Sequence, residues 1–127
     1  NNPMDVQRNT QTISENTQKL LGLLGLATRA GGVVIGVNLV CDALRDLPHG
    51  KHVRVVAEAA DTSENTHKRI GDKTAHYGVP LLRLAVSAEA LANAVGKKGA
   101  AVGAVGVTEP HLAKAILEKA GFTPGTV

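Results

Sequence analysis

The chain has 127 residues, enough for one domain with a buried core, and 43% of them are hydrophobic against 20% charged. No apolar run approaches the ~20 residues of a membrane-spanning helix, and no basic segment precedes an apolar core of the signal-peptide type, so we expect a cytoplasmic protein. The single cysteine excludes an internal disulfide, and the formal net charge of +3 permits contact with nucleic acid without requiring it.

The chain opens with a polar stretch. Residues 1–16 carry little apolar surface to bury and are predicted to form a mobile tail. Residues 17–30 are predicted to form a helix, because their leucines fall on one stripe. Gly22 and Gly25 are costly inside a helix, and they make sense where another element packs very close.

The rest of the chain alternates between short apolar segments of strand type and amphipathic segments of helix type. Strands are predicted at residues 33–35, 52–59, 79–86 and 101–107, and helices at 36–47, 61–77, 88–95 and 108–121. Ser87 and Thr108 are predicted helix caps, as is the run Asp61-Thr62-Ser63. This alternation indicates an α/β fold, a three-layer α-β-α sandwich. Residues 17–122 form its single domain, followed by a tail at 123–127.

The reactive and ligating side chains form no convincing set. His49 and His52 have a spacing that could hold a metal, but no further ligands stand nearby, which favours a solvated loop. Cys41 has no base or oxyanion donor close in sequence and is interpreted as a structural thiol. The glycines between 99 and 106 lie within a strand pattern, which favours close packing over a dinucleotide-binding loop. We therefore predict no metal, no cofactor and no catalysis; an enzyme that uses Cys41 or the histidines is the weakest alternative.

The aromatic content limits how the chain could contact nucleic acid. Tyr77 and Phe122 are the only aromatic residues. A surface that reads single-stranded RNA by stacking bases needs several aromatic side chains. An RNA-binding protein of this composition is therefore expected to read shape and base edges.

An ordered series of short motifs carries a resemblance to a known family. The motifs are residues 23–31, 33–36 and 61–66, then Lys68-Arg69, Asp72-Lys73, Tyr77 and Val79-Pro80, and finally residues 91–97 and 105–108. In this order, over about residues 19–121, they resemble the L7Ae/L30e superfamily of ribosomal proteins, and its bacterial kink-turn-binding branch in particular.

The resemblance implies an α-β-α sandwich around a mixed four-stranded sheet. It also implies a non-enzymatic ribonucleoprotein role, with structured RNA of the kink-turn type as partner and ribosomal RNA among the candidates. In the family, a Gly-x-Asn-Glu-x-x-Lys pattern at the N-terminus of the second helix reads guanine edges and phosphates. Carried over to this chain, Gly36 would allow close approach of the backbone, Asn38 would contact base edges, and Val86 would pack on an extruded base. The phosphate contacts would come from the cations Arg29, Lys97 and Lys98.

The chain departs from the family pattern at two positions of the second helix. Leu39 stands where the family has glutamate, and Asp42 stands where it has lysine, so that a carboxylate would face phosphate. Two hypotheses follow: a ribosomal-protein-like RNA-binding protein, or a protein-interaction module that kept the fold and lost the RNA site. Salt-dependent RNA binding would separate them. The sequence gives no oligomeric state.

Overall fold

A computed structural model describes residues 10–45 and 52–122. Within these two ranges, five strands alternate with five helices. The strands are β1 (Thr10–Ile13), β2 (Val33–Ile35), β3 (Val55–Ala59), β4 (Leu81–Leu84) and β5 (Ala104–Val107). The helices are α1 (Thr17–Arg29), α2 (Val37–Arg45), α3 (Glu64–Tyr77), α4 (Ala88–Ala94) and α5 (Pro110–Ala120).

The described strands form one mixed sheet in the order β1-β4-β3-β5-β2. β1, β4 and β3 run parallel to one another, whereas β5 runs antiparallel to both β3 and β2. Since Glu58 pairs with Ala104, and Ile35 pairs with Val105, the ends of β2, β3 and β4 meet the start of β5 at one edge of the sheet. We refer to this end of the strands as the upper edge, which is distinct from the edge strands β1 and β2.

Helices cover both faces of the sheet and bury a separate apolar cluster on each. The larger cluster joins alternate strand residues to apolar residues of α1, α4 and α5, such as Leu24, Leu91 and Ile116. The smaller cluster joins the opposite strand faces to α2 and α3 through Val40 and Ile70. The predicted α/β fold and three-layer arrangement are therefore confirmed.

The predicted count of four strands is wrong, because part of the predicted tail is a fifth strand. Thr10–Ile13 pairs in parallel with β4, and Ile13 is buried in the larger cluster. The segment has one apolar residue, so its sequence carries no strand pattern; it is held by backbone hydrogen bonds to a strand far along the chain. Residues 1–9, and the predicted C-terminal tail at 123–127, lie outside the described residues.

The helix caps were predicted correctly at two of three places. Ser63 and Ser87 accept the backbone N–H groups of the third residues beyond them, as N-caps do. The cap of α5 is Glu109 and not Thr108, because Pro110 occupies the first helical position and the Glu109 carboxylate accepts the N–H of Leu112 at 2.6 Å. The predicted end of α2 at residue 47 lies outside the described residues.

Candidate functional site

The turn between β2 and α2 leaves a backbone surface open at the upper edge. Gly36 donates its N–H to the carbonyl of Ala104 at 2.9 Å and accepts the N–H of Val40, also at 2.9 Å, which starts the helix. Its φ is +104°, a conformation that favours glycine, and no atom lies within 4 Å of where a Cβ would stand. A ligand can therefore approach this backbone closely.

The first turn of α2 presents polar and apolar groups to solvent. Asn38 and Leu39 are both exposed, Leu39 to 59%, and the turn carries no acidic residue. Free backbone N–H groups and the helix dipole favour an anion at such a terminus. The side chain of Asn38 is not free to turn, because its Oδ1 accepts a hydrogen bond from Arg69 Nη1 of α3 at 2.8 Å.

A buried charged network lies under this edge. Glu58 of β3 is fully buried, and His67 Nδ1 lies 2.8 Å and 3.0 Å from its two carboxylate oxygens. The hydroxyl of Thr62 donates to the same carboxylate, and Arg83 Nε lies 3.9 Å from it. Because a buried carboxylate is costly unless it is paired, these contacts fix the loop at 60–62 against the sheet.

The loops at the upper edge are tied to one another by hydrogen bonds. Val86 accepts the backbone N–H of Ala60 at 2.9 Å, and Asp61 Oδ1 accepts the N–H of Ala88 at 2.8 Å. Val86 is half-buried and packs against the larger apolar cluster, so that only part of its side chain faces solvent. Asp61, predicted as a helix cap, therefore joins two loops while Ser63 caps the helix.

Gly103, directly before β5, lies where α2 and the loop at 60–62 pack closely against the sheet. A Cβ built there would lie 3.0 Å from a methyl group of Val37 and 3.3 Å from one of Thr62. Gly106 is similarly close to Val53, at 3.2 Å. The predicted role in close packing is confirmed for Gly103 and Gly106, but it is wrong for Gly99, which lies in a turn with a φ of +89° and has no atom within 4 Å of a built Cβ.

The structure does not bring the six predicted site residues into one place. Gly36, Asn38 and Val86 lie at the upper edge, but Val86 follows β4, which β3 and β5 separate from β2 and the start of α2. Arg29 lies instead in a groove between α1 and α4, beside Gly25 and Asn93. Lys97 and Lys98 occupy the exposed turn directly after α4, and neither forms an ion pair with a carboxylate that the structure describes.

The two residues of α2 that depart from the family pattern, Leu39 and Asp42, differ in their surroundings. The Asp42 carboxylate forms an ion pair with Arg45 Nη2 at 3.2 Å on the same helix. Leu39 is one of two large hydrophobic side chains, with Leu26, that are strongly exposed in the described part of the chain. One turn of α2 thus carries an apolar residue and a partly neutralised acid where the family pattern has charged ligands.

Cys41, His49 and His52 are the remaining candidate groups named from the sequence. Cys41 is buried, His52 is exposed, and His49 lies outside the described ranges. In residues 10–45 and 52–122, no three His, Cys, Asp or Glu side chains are grouped as metal ligands. None of the helices within those ranges is both long enough and apolar enough to cross a bilayer.

Two residues near the upper edge, Arg69 and Glu58, were not predicted from the sequence. Arg69 was part of a charge run of the kind that usually forms a solvated face, and nothing in sequence links it to Asn38 on another helix. Glu58 offered a usable signal, because a single carboxylate inside an otherwise apolar strand must find a buried partner. That signal predicts a buried hydrogen-bonded network, but it does not identify His67 or Thr62 as its members.

The fold and this edge define a three-layer α-β-α domain that presents the N-terminus of its second helix beside a set of cross-linked loops. The chain belongs to the ribosomal protein L7Ae/L30e/S12e/Gadd45 family, whose sequence pattern matches residues 18–117. This membership agrees with the resemblance drawn from the motifs.

Two curated relatives share the same name. The RNA-binding protein YlxQ of Enterococcus faecium is 38% identical over 82 residues, which cover 65% of this chain and 75% of that protein. The RNA-binding protein YlxQ of Bacillus subtilis (strain 168) is 35% identical over 95 residues, which cover 75% of this chain and 88% of that protein.

Solved structures share the fold. A protein of unknown function from Bacillus halodurans C superposes with a TM-score of 0.70 at 26% identity, over 81% of this chain and 97% of that one. The 15.5kD RNA binding protein of Giardia lamblia superposes with a TM-score of 0.62 at 21% identity, over 83% and 87% of the two chains. The latter likeness supports the fold alone.

Proposed function

We propose that this protein binds structured RNA of the kink-turn type through the upper edge of its sheet, without catalysis of its own. The observation that carries the proposal is the exposed N-terminus of α2, where the open backbone of Gly36 adjoins the exposed amide of Asn38. The names of the two YlxQ relatives support RNA as the class of ligand. Ribosomal RNA in the cytoplasm is the first partner to test, since the family is named for ribosomal proteins.

Each part of the edge has a role in this proposal. The free N–H groups of the first turn of α2 bind a phosphate, and Asn38 donates to base edges. The exposed part of Val86 packs against a base turned out of its stack. Because hydrogen bonds already fix the loops around Val86, little conformational entropy is lost there on binding.

Arg29, Lys97 and Lys98 serve RNA at a second place in this proposal. Arg29 lies in the groove between α1 and α4, and the two lysines lie in the turn after α4. In this proposal their charges attract the RNA phosphate backbone on either side of the kink. Contacts of this kind add affinity and salt dependence and carry no sequence information.

A second candidate function is a protein-interaction module that has lost the RNA site. The observation that favours it is Leu39, exposed to 59% in the first turn of α2. An apolar side chain in that place fits a protein partner better than a phosphate backbone.

Binding to two matched RNAs tests the proposal. Fluorescence anisotropy compares a kink-turn RNA with a straight duplex of the same length, at a series of salt concentrations. We expect tighter binding to the kink-turn, and we expect Asn38→Ala to reduce that affinity by ~1–3 kcal/mol. Equal affinity for both RNAs at every salt concentration would favour the interaction module.

A further inference from the structure

The contact between Asn38 and Arg69 determines which atoms of the amide face outward. A guanidinium group has N–H donors and no acceptor, so the atom 2.8 Å from Arg69 Nη1 must be the amide oxygen of Asn38. The amide nitrogen then points away from α3. Asn38 therefore offers its N–H donors to a ligand, which suits the O6 and N7 acceptors of guanine, whereas adenine recognition also needs the amide oxygen, which Arg69 already engages.

Arg69 also changes the charge balance at the start of α2. The lysine of the family pattern is replaced by Asp42, whose carboxylate is occupied by Arg45. Arg69 is exposed and forms no ion pair with any carboxylate in the described parts of the chain. One of its N–H groups is used on Asn38, which leaves its charge and its other donors available beside the terminus of α2.

We propose that Arg69 is a positioning and specificity residue of the RNA surface, which turns the Asn38 donors toward the RNA and supplies the cation that position 42 lacks. This inference rests on the proposed function. Its basis is the geometry between two helices, α2 and α3, that sequence places far apart.

The test is a set of variants assayed against the kink-turn RNA and the straight duplex. Arg69→Met removes the charge and the hydrogen bond while it keeps length and helix propensity. Lys68→Met is the matched control, because the neighbouring Lys68 pairs with Asp72 on the outer face of the same helix. Arg69→Lys keeps the charge and loses the planar fork of donors. Thermal unfolding of each variant shows that the fold is retained.

We expect Arg69→Met to weaken kink-turn binding about tenfold or more and to lower the salt slope by about one. Lys68→Met changes the affinity less than about twofold. Arg69→Lys keeps the salt slope but loses part of the preference for the kink-turn. Once Asn38→Ala has been made, Arg69→Met reduces that preference no further, because the two residues act through one contact.

Three results would overturn the inference, and they can be distinguished from one another. If the wild type prefers the kink-turn and Arg69→Met behaves like Lys68→Met, Arg69 has no role and the proposed function stands. If Arg69→Met and Asn38→Ala each reduce the preference independently, Arg69 does not act by positioning Asn38, so the inference fails while the proposed function stands. If the wild type shows no preference for the kink-turn, the proposed function fails, and the role of Arg69 fails with it.

Discussion

Asp42 lies one helical turn beyond Asn38, and its effect on an RNA ligand follows from its surroundings. The side chains of Asp42 and its partner Arg45 are 51% and 58% exposed, so that their ion pair is a weak surface pair. The carboxylate therefore still repels phosphate groups within about a Debye length, ~10 Å at moderate salt. We therefore expect its net contribution to RNA binding to be unfavourable.

Replacing Asp42 by Lys should tighten binding to the kink-turn RNA. The substitution changes a repulsion into an attraction, so the gain is largest at low salt and the salt slope steepens by about one. Glu118→Lys on α5 is the control, because it makes the same change of charge on another element. A gain from Asp42→Lys that is equal on the straight duplex would contradict a specific site at this terminus.

Glu109 gives a prediction about pH. The backbone N–H of Leu112, followed by the side chain of His111, holds the pKa of the Glu109 carboxyl below its ordinary value. The ionised cap therefore stabilises the folded state fully above the ordinary carboxyl pKa, and this stabilisation disappears as pH falls through the lowered pKa. Glu109→Ala should lower Tm at neutral pH by a few degrees.

The pH dependence separates this cap from a general effect of charge. The difference in Tm between wild type and Glu109→Ala should shrink toward strongly acidic pH, as the wild-type carboxyl becomes protonated. Glu118→Ala on the same helix lies outside the cap and should leave Tm nearly unchanged at every pH. A deficit of Glu109→Ala that stays constant with pH would rule out the carboxylate as its cause.

At the scale of a single helix, α1 contains two glycines with different surroundings. A Cβ on Gly25 would lie 3.0 Å from the backbone oxygen of Ala94, which explains that glycine by the close approach of α4. Gly22 has no atom within 4 Å of such a Cβ, so the expectation of a closely packed neighbour is wrong for Gly22 within the described residues.

Gly22→Ala should therefore stabilise the protein by about 0.5–1 kcal/mol, because alanine has the higher helix propensity and nothing opposes its methyl group. Gly25→Ala should be less favourable than Gly22→Ala by about 1–3 kcal/mol, since the methyl group would force α1 and α4 apart. Chemical denaturation of the two variants measures both effects. Equal stability of the two variants would mean that α4 does not limit the space at Gly25.

The helices were predicted well from sequence because their signals are local. Ser63 and Ser87 mark helix starts by short-range capping, and amphipathic spacing identifies the helical segments, such as α3 with its buried Ile70. β1 was not predicted, because it forms by pairing with β4 and no local sequence pattern encodes that pairing. The contact between Asn38 and Arg69 escaped for the same reason, since it depends on how two helices cross.

At the scale of the whole molecule, the candidate site exists only in the folded state. The start of α2, the loop at 60–62, the loop around Val86 and the start of β5 come from separated parts of the chain. The sheet places them at one edge, and the buried carboxylate of Glu58 fixes the loop at 60–62 and the first turn of α3 through Thr62 and His67. Substitutions of Glu58 should therefore weaken the binding of any ligand at the upper edge. The effect would act through the scaffold, because Glu58 is fully buried.

β1 has a consequence for the behaviour of the protein in solution. It is an edge strand, and its backbone occupies the hydrogen-bonding groups of β4 on that side. Without β1, the apolar β4 would offer an unpaired edge to strands of other copies, which is a known route to aggregation. A chain that starts at Thr17 should scatter light and sediment at concentrations where the full chain stays dispersed. If both stay dispersed, β1 does not protect this edge.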